Sequence, residues 1–180
     1  YDEGRIFPGF WGAAFSLDGR RVASAGTGGV WIQETATGTL IAQAPAEYAR
    51  LVRFSPDGRF VFRCDNDLRC HFSLYDTRKG DDAIPFIDES WSRAIAFSPS
   101  GRTFAVVPWT SDDEPIRLSL FSTETADKRS ELVISNHARP LSVAFSPDER
   151  LLAVGYEDGT IDLVDVDRFV ALTTLPGHRG

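Results

Sequence analysis

The chain has 180 residues, 42% of them hydrophobic and 25% charged, which suits a globular domain with a real core and excludes a disordered or fibrous class. A formal net charge of −7 excludes the basic surface that phosphate backbones demand, so no nucleic-acid partner is expected. No apolar run approaches the roughly 18 residues of a membrane helix, and no basic start followed by an apolar stretch reads as a leader, so the expectation is no membrane partner and a cytoplasmic location.

Taken in order, the chain reads as short strands broken by turns. The opening "GRIF" suits the last strand of a preceding unit, over residues 1–9. A first unit over 10–47 has the strands "WGAAFS", "RVASAG", "VWIQE" and "TLIAQA", with the Gly-rich "AGTGG" as a tight hairpin. A second unit over 48–90 has "RLVRFS", "RFVFRC", "CHFSLYD" and "AIPFID". The third, over 91–136, has "RAIAFS", "TFAVVP", "IRLSLFS" and "ELVIS". In the fourth, over 137–175, "PLSVAFS", "LLAVGY", "IDLVDV" and "VALTTL" alternate or run apolar as strands do, and "EDGT" carries an Asp-Gly hairpin signal. Residues 176–180 begin a following unit. No stretch has a convincing helical period, so the predicted class is all-β, with four four-stranded antiparallel sheets in one domain.

One turn is written four times: "FSLDGR" at Phe15, "FSPDGR" at Phe54, "FSPSGR" at Phe97 and "FSPDER" at Phe145. The anchors are spaced roughly 40–50 residues apart, the period of a repeat array. Pro presets φ at the second turn position and cannot donate into a sheet, Asp bonds the backbone ahead of it, and Gly relieves a left-handed exit. The motif is structural. Constant strands with variable pitch mean that the loops, not the strands, vary in length.

These words resemble the WD-repeat family of β-propellers, over essentially the whole chain. The family's unit runs from Gly-His, through a Phe-Ser-Pro-Asp-Gly-like turn, to a strand closing on Trp-Asp. Gly177-His178 matches the first mark; Tyr75-Asp76 and Val164-Asp165 stand at the last, where the first and third units have Gln33-Glu34 and Phe121-Ser122. The resemblance implies blades fanned about an axis, in a ring of typically four to eight. Four units then make either a segment of a longer propeller or half of a ring completed by a second copy. It also implies a structural network of His137 with Asp158, with Val164 in place of the family's Trp.

Strand alternation puts the Ser-Pro-Asp-Gly turns at one end of each sheet. The second-to-third-strand loops and the inter-unit connections lie at the other. That second end carries the acidic stretches "DNDL", "TSDDEP" and "YEDG", and inward of them Trp11, Tyr48, Arg50, Trp91, Arg93 and Arg139 at the entries to the first strands. Aromatics and Arg are favoured in interface hot spots. These six are the expected partner-binding residues, and the resemblance implies a non-catalytic scaffold for protein or peptide partners, of the kind found in regulatory and signalling proteins.

Chemistry finds little support. Three His residues offer few acid–base candidates, no Ser lies in a Gly-x-Ser-x-Gly elbow, and "AGTGG" lacks the Lys and helix of a phosphate loop. Cys64, Cys70 and His71 are close in sequence, but no second pair completes a zinc site, so no metal and no cofactor are expected. The two cysteines could face each other across a hairpin; they are read as free thiols. Arg supplies every basic side chain except Lys79 and Lys128, a bias that locates no site by itself. The alternatives are an enzymatic or metal-binding propeller with a site at its channel, and a self-assembling half-propeller that forms a homodimer through its open blades.

Overall fold

The computed structural model describes residues 9–65, 71–78, 83–84, 91–109, 115–134 and 138–177. Among them there is no helix, and the strands form four antiparallel sheets in chain order. The first contains β1 (Phe10–Phe15), β2 (Arg21–Glu34) and β3 (Leu40–Tyr48). The second contains β4 (Leu51–Phe54), β5 (Phe60–Asp65), β6 (His71–Asp76) and β7 (Ala83–Ile84). The third contains β8 (Trp91–Phe97), β9 (Thr103–Trp109), β10 (Arg117–Ser122) and β11 (Lys128–Val133). The fourth contains β12 (Pro140–Phe145), β13 (Leu151–Tyr156), β14 (Ile161–Asp165) and β15 (Val170–Leu175). Each is a meander in which neighbours in sequence are neighbours in space.

β2 is two strands in one. An extended run of its 14 residues spans roughly 45 Å, yet Thr35 N donates to the Arg20 carbonyl at 2.8 Å across its ends. The chain therefore reverses inside β2, near Gly28 and Gly29, whose φ values of 88° and 114° exclude ordinary side chains. The same rung closes the other sheets: Thr77 N to Arg59 O, Thr123 N to Arg102 O and Val166 N to Arg150 O, at 2.8, 3.0 and 2.9 Å. All four sheets thus have four strands.

The repeated turn works as its chemistry dictates. Ser16 Oγ donates to Asp18 Oδ1 at 2.6 Å and accepts from Arg21 N at 3.0 Å, while Asp18 Oδ1 accepts from Arg20 N. Ser55 with Asp57 and Ser146 with Asp148 repeat these bonds. Bonding to the charged form holds the carboxyls of Asp18 and Asp148 below the usual range, through Ser16 and Ser146 first and the backbone N–H second. The exit residue is left-handed every time: Gly19, Gly58 and Gly101 at φ 68°, 69° and 71°, and Glu149 at 61°.

Two compact units divide the chain, Tyr1–Phe86 and Ile87–Gly180, each with two sheets packed face to face. In the first, Ala23, Ala25, Val30, Ile32 and Ala44 of sheet one form a core with Val52, Val61 and Tyr75 of sheet two. In the second, Ala105, Leu118 and Leu120 of sheet three meet Leu152, Val154 and Val164 of sheet four. Apolar burial of this kind contributes about 25 cal/mol per Å² and is the main force joining sheets that share no ladder.

Candidate partner-binding site

Each first strand carries one irregularity. The register of β1 slips between Phe10 and Gly12, that of β8 between Ser92 and Ala94, and that of β12 between Pro140 and Ser142. In β4 the Arg50 N–H bonds the Cys64 carbonyl at 2.9 Å, although Cys64 already stands opposite Leu51. These are β-bulges, and the extra residues are Trp11, Arg50, Arg93 and Leu141. Each lies four positions before its Phe anchor. A bulge bends the strand and re-aims a side chain out of the pleat.

Three of the six expected residues therefore occupy one structural position. In the first unit the structure brings two of them together: the Arg50 guanidinium lies over the Trp11 ring, 5.4 Å from its centre. Trp11 is 39% exposed, and Arg50 is exposed too. Arg139 is exposed just ahead of β12, and its carbonyl accepts from Glu157 N at 2.9 Å. Tyr48 pairs with Thr27 and Trp91 with Trp109 along the backbone. The side chains of Tyr48, Trp91 and Arg93 lie outside the description. Leu141, 46% exposed at the fourth bulge, escaped the sequence reading. Counting back from each anchor finds it.

Of the expected network of His137 with Asp158, only Asp158 lies among the described residues. Asp158 Oδ1 accepts from Thr160 N and Thr160 Oγ1 at 2.9 and 2.6 Å, in the exposed hairpin between β13 and β14. The buried network of this repeat centres on Asp162. Its two carboxylate oxygens accept from Tyr156 OH at 2.8 Å and Thr174 Oγ1 at 2.6 Å, tying three strands of one sheet. Burial, then the Asp162 bond, pushes the Tyr156 phenol well above its ordinary range, so it stays a donor. Beside this hairpin, a Cβ on Gly177 would fall 1.2 Å from the Gly159 carbonyl oxygen, so the Gly of the Gly-His mark is sterically fixed.

Two buried charges serve structure. Asp76, fully buried, accepts from Arg59 Nε and Nη2 at 3.0 and 2.8 Å and from Arg78 N at 3.0 Å. Arg63 reaches from β5 to the Ala44 and Pro45 carbonyls of β3 at 3.3 and 2.7 Å, and stacks over Tyr75. It crosses from the second sheet to the outer strand of the first. Cys64 is disulfide-bonded, which corrects the expectation of free thiols; the other cysteine of the chain, Cys70, lies outside the described residues. Among the described residues no three His, Cys, Asp or Glu side chains converge as metal ligands.

A family model for the WD domain, G-beta repeat, matches residues 128–165, from β11 through β14. A search of curated proteins finds no match. Repeats of this kind are typically non-enzymatic and mediate interactions between proteins. One repeat is matched directly, and three more sheets share its turn, its closing rung and its bulge, an arrangement consistent with a partial WD-repeat β-propeller.

Proposed function

We propose that this chain is a protein-interaction scaffold and that it binds protein or peptide segments at the sheet ends bearing the bulges, through Trp11, Tyr48, Arg50, Trp91, Arg93 and Arg139. The observation that carries the reading is the Trp11–Arg50 stack: an exposed aromatic and a guanidinium, both re-aimed by bulges, at adjacent strand entries. A stacked Arg has lost much of its rotamer freedom before binding, so less is lost on contact. The sequence between the second and third strands of the later units is acidic, and the net charge favours a protein over a nucleic acid.

Affinity capture with wild type and the Trp11→Ala, Arg50→Ala double variant, read by quantitative mass spectrometry, tests it. A reproducible partner lost at least tenfold from the variant supports the site. A variant that is folded by circular dichroism yet keeps every wild-type partner removes this end of the sheets from consideration.

A further inference from the structure

We propose that Ser100 is a phosphorylation site and that a phosphate there unlinks the turns of the third and fourth sheets. The site lies at the turn ends of these sheets, not at the ends bearing the bulges, and stands apart from partner binding there.

Three of the four repeated turns carry a carboxylate at their third position, where sheet three carries Ser100. Asp18, Asp57 and Asp148 accept from the Oγ of the serine that opens the turn, at 2.6, 2.5 and 2.5 Å. They also accept from the backbone N–H two residues on, at 3.0, 3.0 and 3.2 Å. A serine side chain is one bond shorter than Asp and uncharged. Ser100 Oγ accordingly stands 3.2 Å from Ser98 Oγ and 3.4 Å from Arg102 N, long for both kinds of bond. The turn keeps its shape, with Gly101 N donating to the Ser98 carbonyl at 2.8 Å and Gly101 at φ 71°. What it lacks is its own anion.

The next sheet supplies one. The Glu149 carboxylate accepts from Ser100 N and, at 3.1 Å, from Ser100 Oγ. The hydroxyl that donates to this link is exposed. The serines that open the turns are placed differently. Ser16, Ser55 and Ser98 are buried and Ser146 is half-buried, and the Oγ of each accepts a strand N–H at 2.8–3.3 Å. Among the serines of the four turns, Ser100 alone presents its hydroxyl to a second enzyme.

A serine/threonine protein kinase would transfer the terminal phosphoryl group of a nucleoside triphosphate. An O–P bond forms at Ser100 Oγ as the bond to the leaving nucleoside diphosphate breaks, and the hydroxyl proton passes to the kinase's base. The product carries a charge of about −1.5 to −2 and no donor. The Oγ–H bond to Glu149 is then gone, and two like charges face each other across the link. The phosphate oxygens reach one bond beyond those of an Asp carboxylate, which suits the Ser98 hydroxyl and the Arg102 N–H. Arg102 and Arg150, both exposed, end the two turns and supply cations to the new anion. Phosphorylation thus exchanges a bond between sheets for the bonds that the other three turns make within themselves.

Two measurements on the full chain test this. The chain isolated from the cells that make it, with phosphatases inhibited, is digested with trypsin and sequenced by mass spectrometry. The peptide 94–102 holds both Ser98 and Ser100, and fragmentation tells them apart. Phosphate is expected on Ser100; its absence, or phosphate on Ser98 instead, overturns the site. Phosphoserine encoded at position 100 then reads the consequence by residue-resolved amide exchange. The Ser100 N–H is expected to exchange about tenfold faster or more, from loss of a charge-assisted bond. The Arg102 N–H is expected to slow, and the Gly19 and Gly58 amides of the other unit to stay unchanged. Circular dichroism confirms folding, and Ser100→Asp repeats the measurement should the phosphorylated chain not fold. A Ser100 amide as protected as in wild type overturns the unlinking.

Discussion

Glu149 shows how one residue departs from a repeated solution. The turn needs a left-handed exit, and three repeats meet it with Gly; Glu149 adopts φ 61° instead. An L side chain there costs roughly 1–2 kcal/mol through the clash of Cβ with the backbone. The compensation is visible, since Glu149 accepts from Ser100 N and, at 3.1 Å, from Ser100 Oγ, linking the turns of sheets three and four. Replacing Glu149 by Gly or by Ala removes that link equally, and only Gly also removes the strain. Chemical denaturation is expected to find Glu149→Gly about 1 kcal/mol more stable than Glu149→Ala. Equal stabilities would mean that the turn relaxes to another backbone shape in the Ala variant.

At the scale of the element, Asp76 is the buried charge at the end of β6, where the family has Trp-Asp. The guanidinium groups of Arg59 and Arg78 and the Arg78 N–H satisfy it, and Arg59 also lies over the Phe60 ring, 4.4 Å from its centre. Removing one side of a buried pair costs about 3–5 kcal/mol, because the partner is left uncompensated. Asp76→Ala is expected to lose that much in urea denaturation, whereas Glu131→Ala, at an exposed pair with Arg117 and Lys128, is expected to lose less than about 1 kcal/mol. A small loss at Asp76 would show that the solvent-exposed parts of Arg59 and Arg78 are enough to hydrate both guanidinium groups once the carboxylate is gone. Strands such as β9, β13 and β14 were legible because alternation and turn chemistry are local. The bulges were not: one extra residue in "WGAAFS" or "PLSVAFS" breaks a period of two, but so does any strand that becomes apolar on both faces. The Asp162 network was hidden for a different reason. A strand Asp reads as solvent-facing until the phenol of Tyr156 and the hydroxyl of Thr174 are placed beside it. The Cys64 disulfide was missed because two cysteines flanking one hairpin read equally well as free thiols or as a bridge.

At the scale of the whole molecule, repetition turns a local grammar into an assembly rule. Each of the two described cores buries an alanine face, with Ala23 or Ala105, under the face of the next sheet that carries its Phe anchor, Phe54 or Phe145, so the stability of a sheet includes the neighbour that covers it. In the second unit Leu152 of sheet four is fully buried in one core with Ala105 and Leu120 of sheet three. Leu152→Ala is expected to cost about 2–5 kcal/mol in chemical denaturation, because it removes apolar contact from both sheets and leaves a cavity between them. Hydrogen exchange is expected to show the amides of β9 and β13 losing protection together in the variant, since each sheet lends stability to the other. Loss of protection in sheet four alone would mean that sheet three stands without its neighbour.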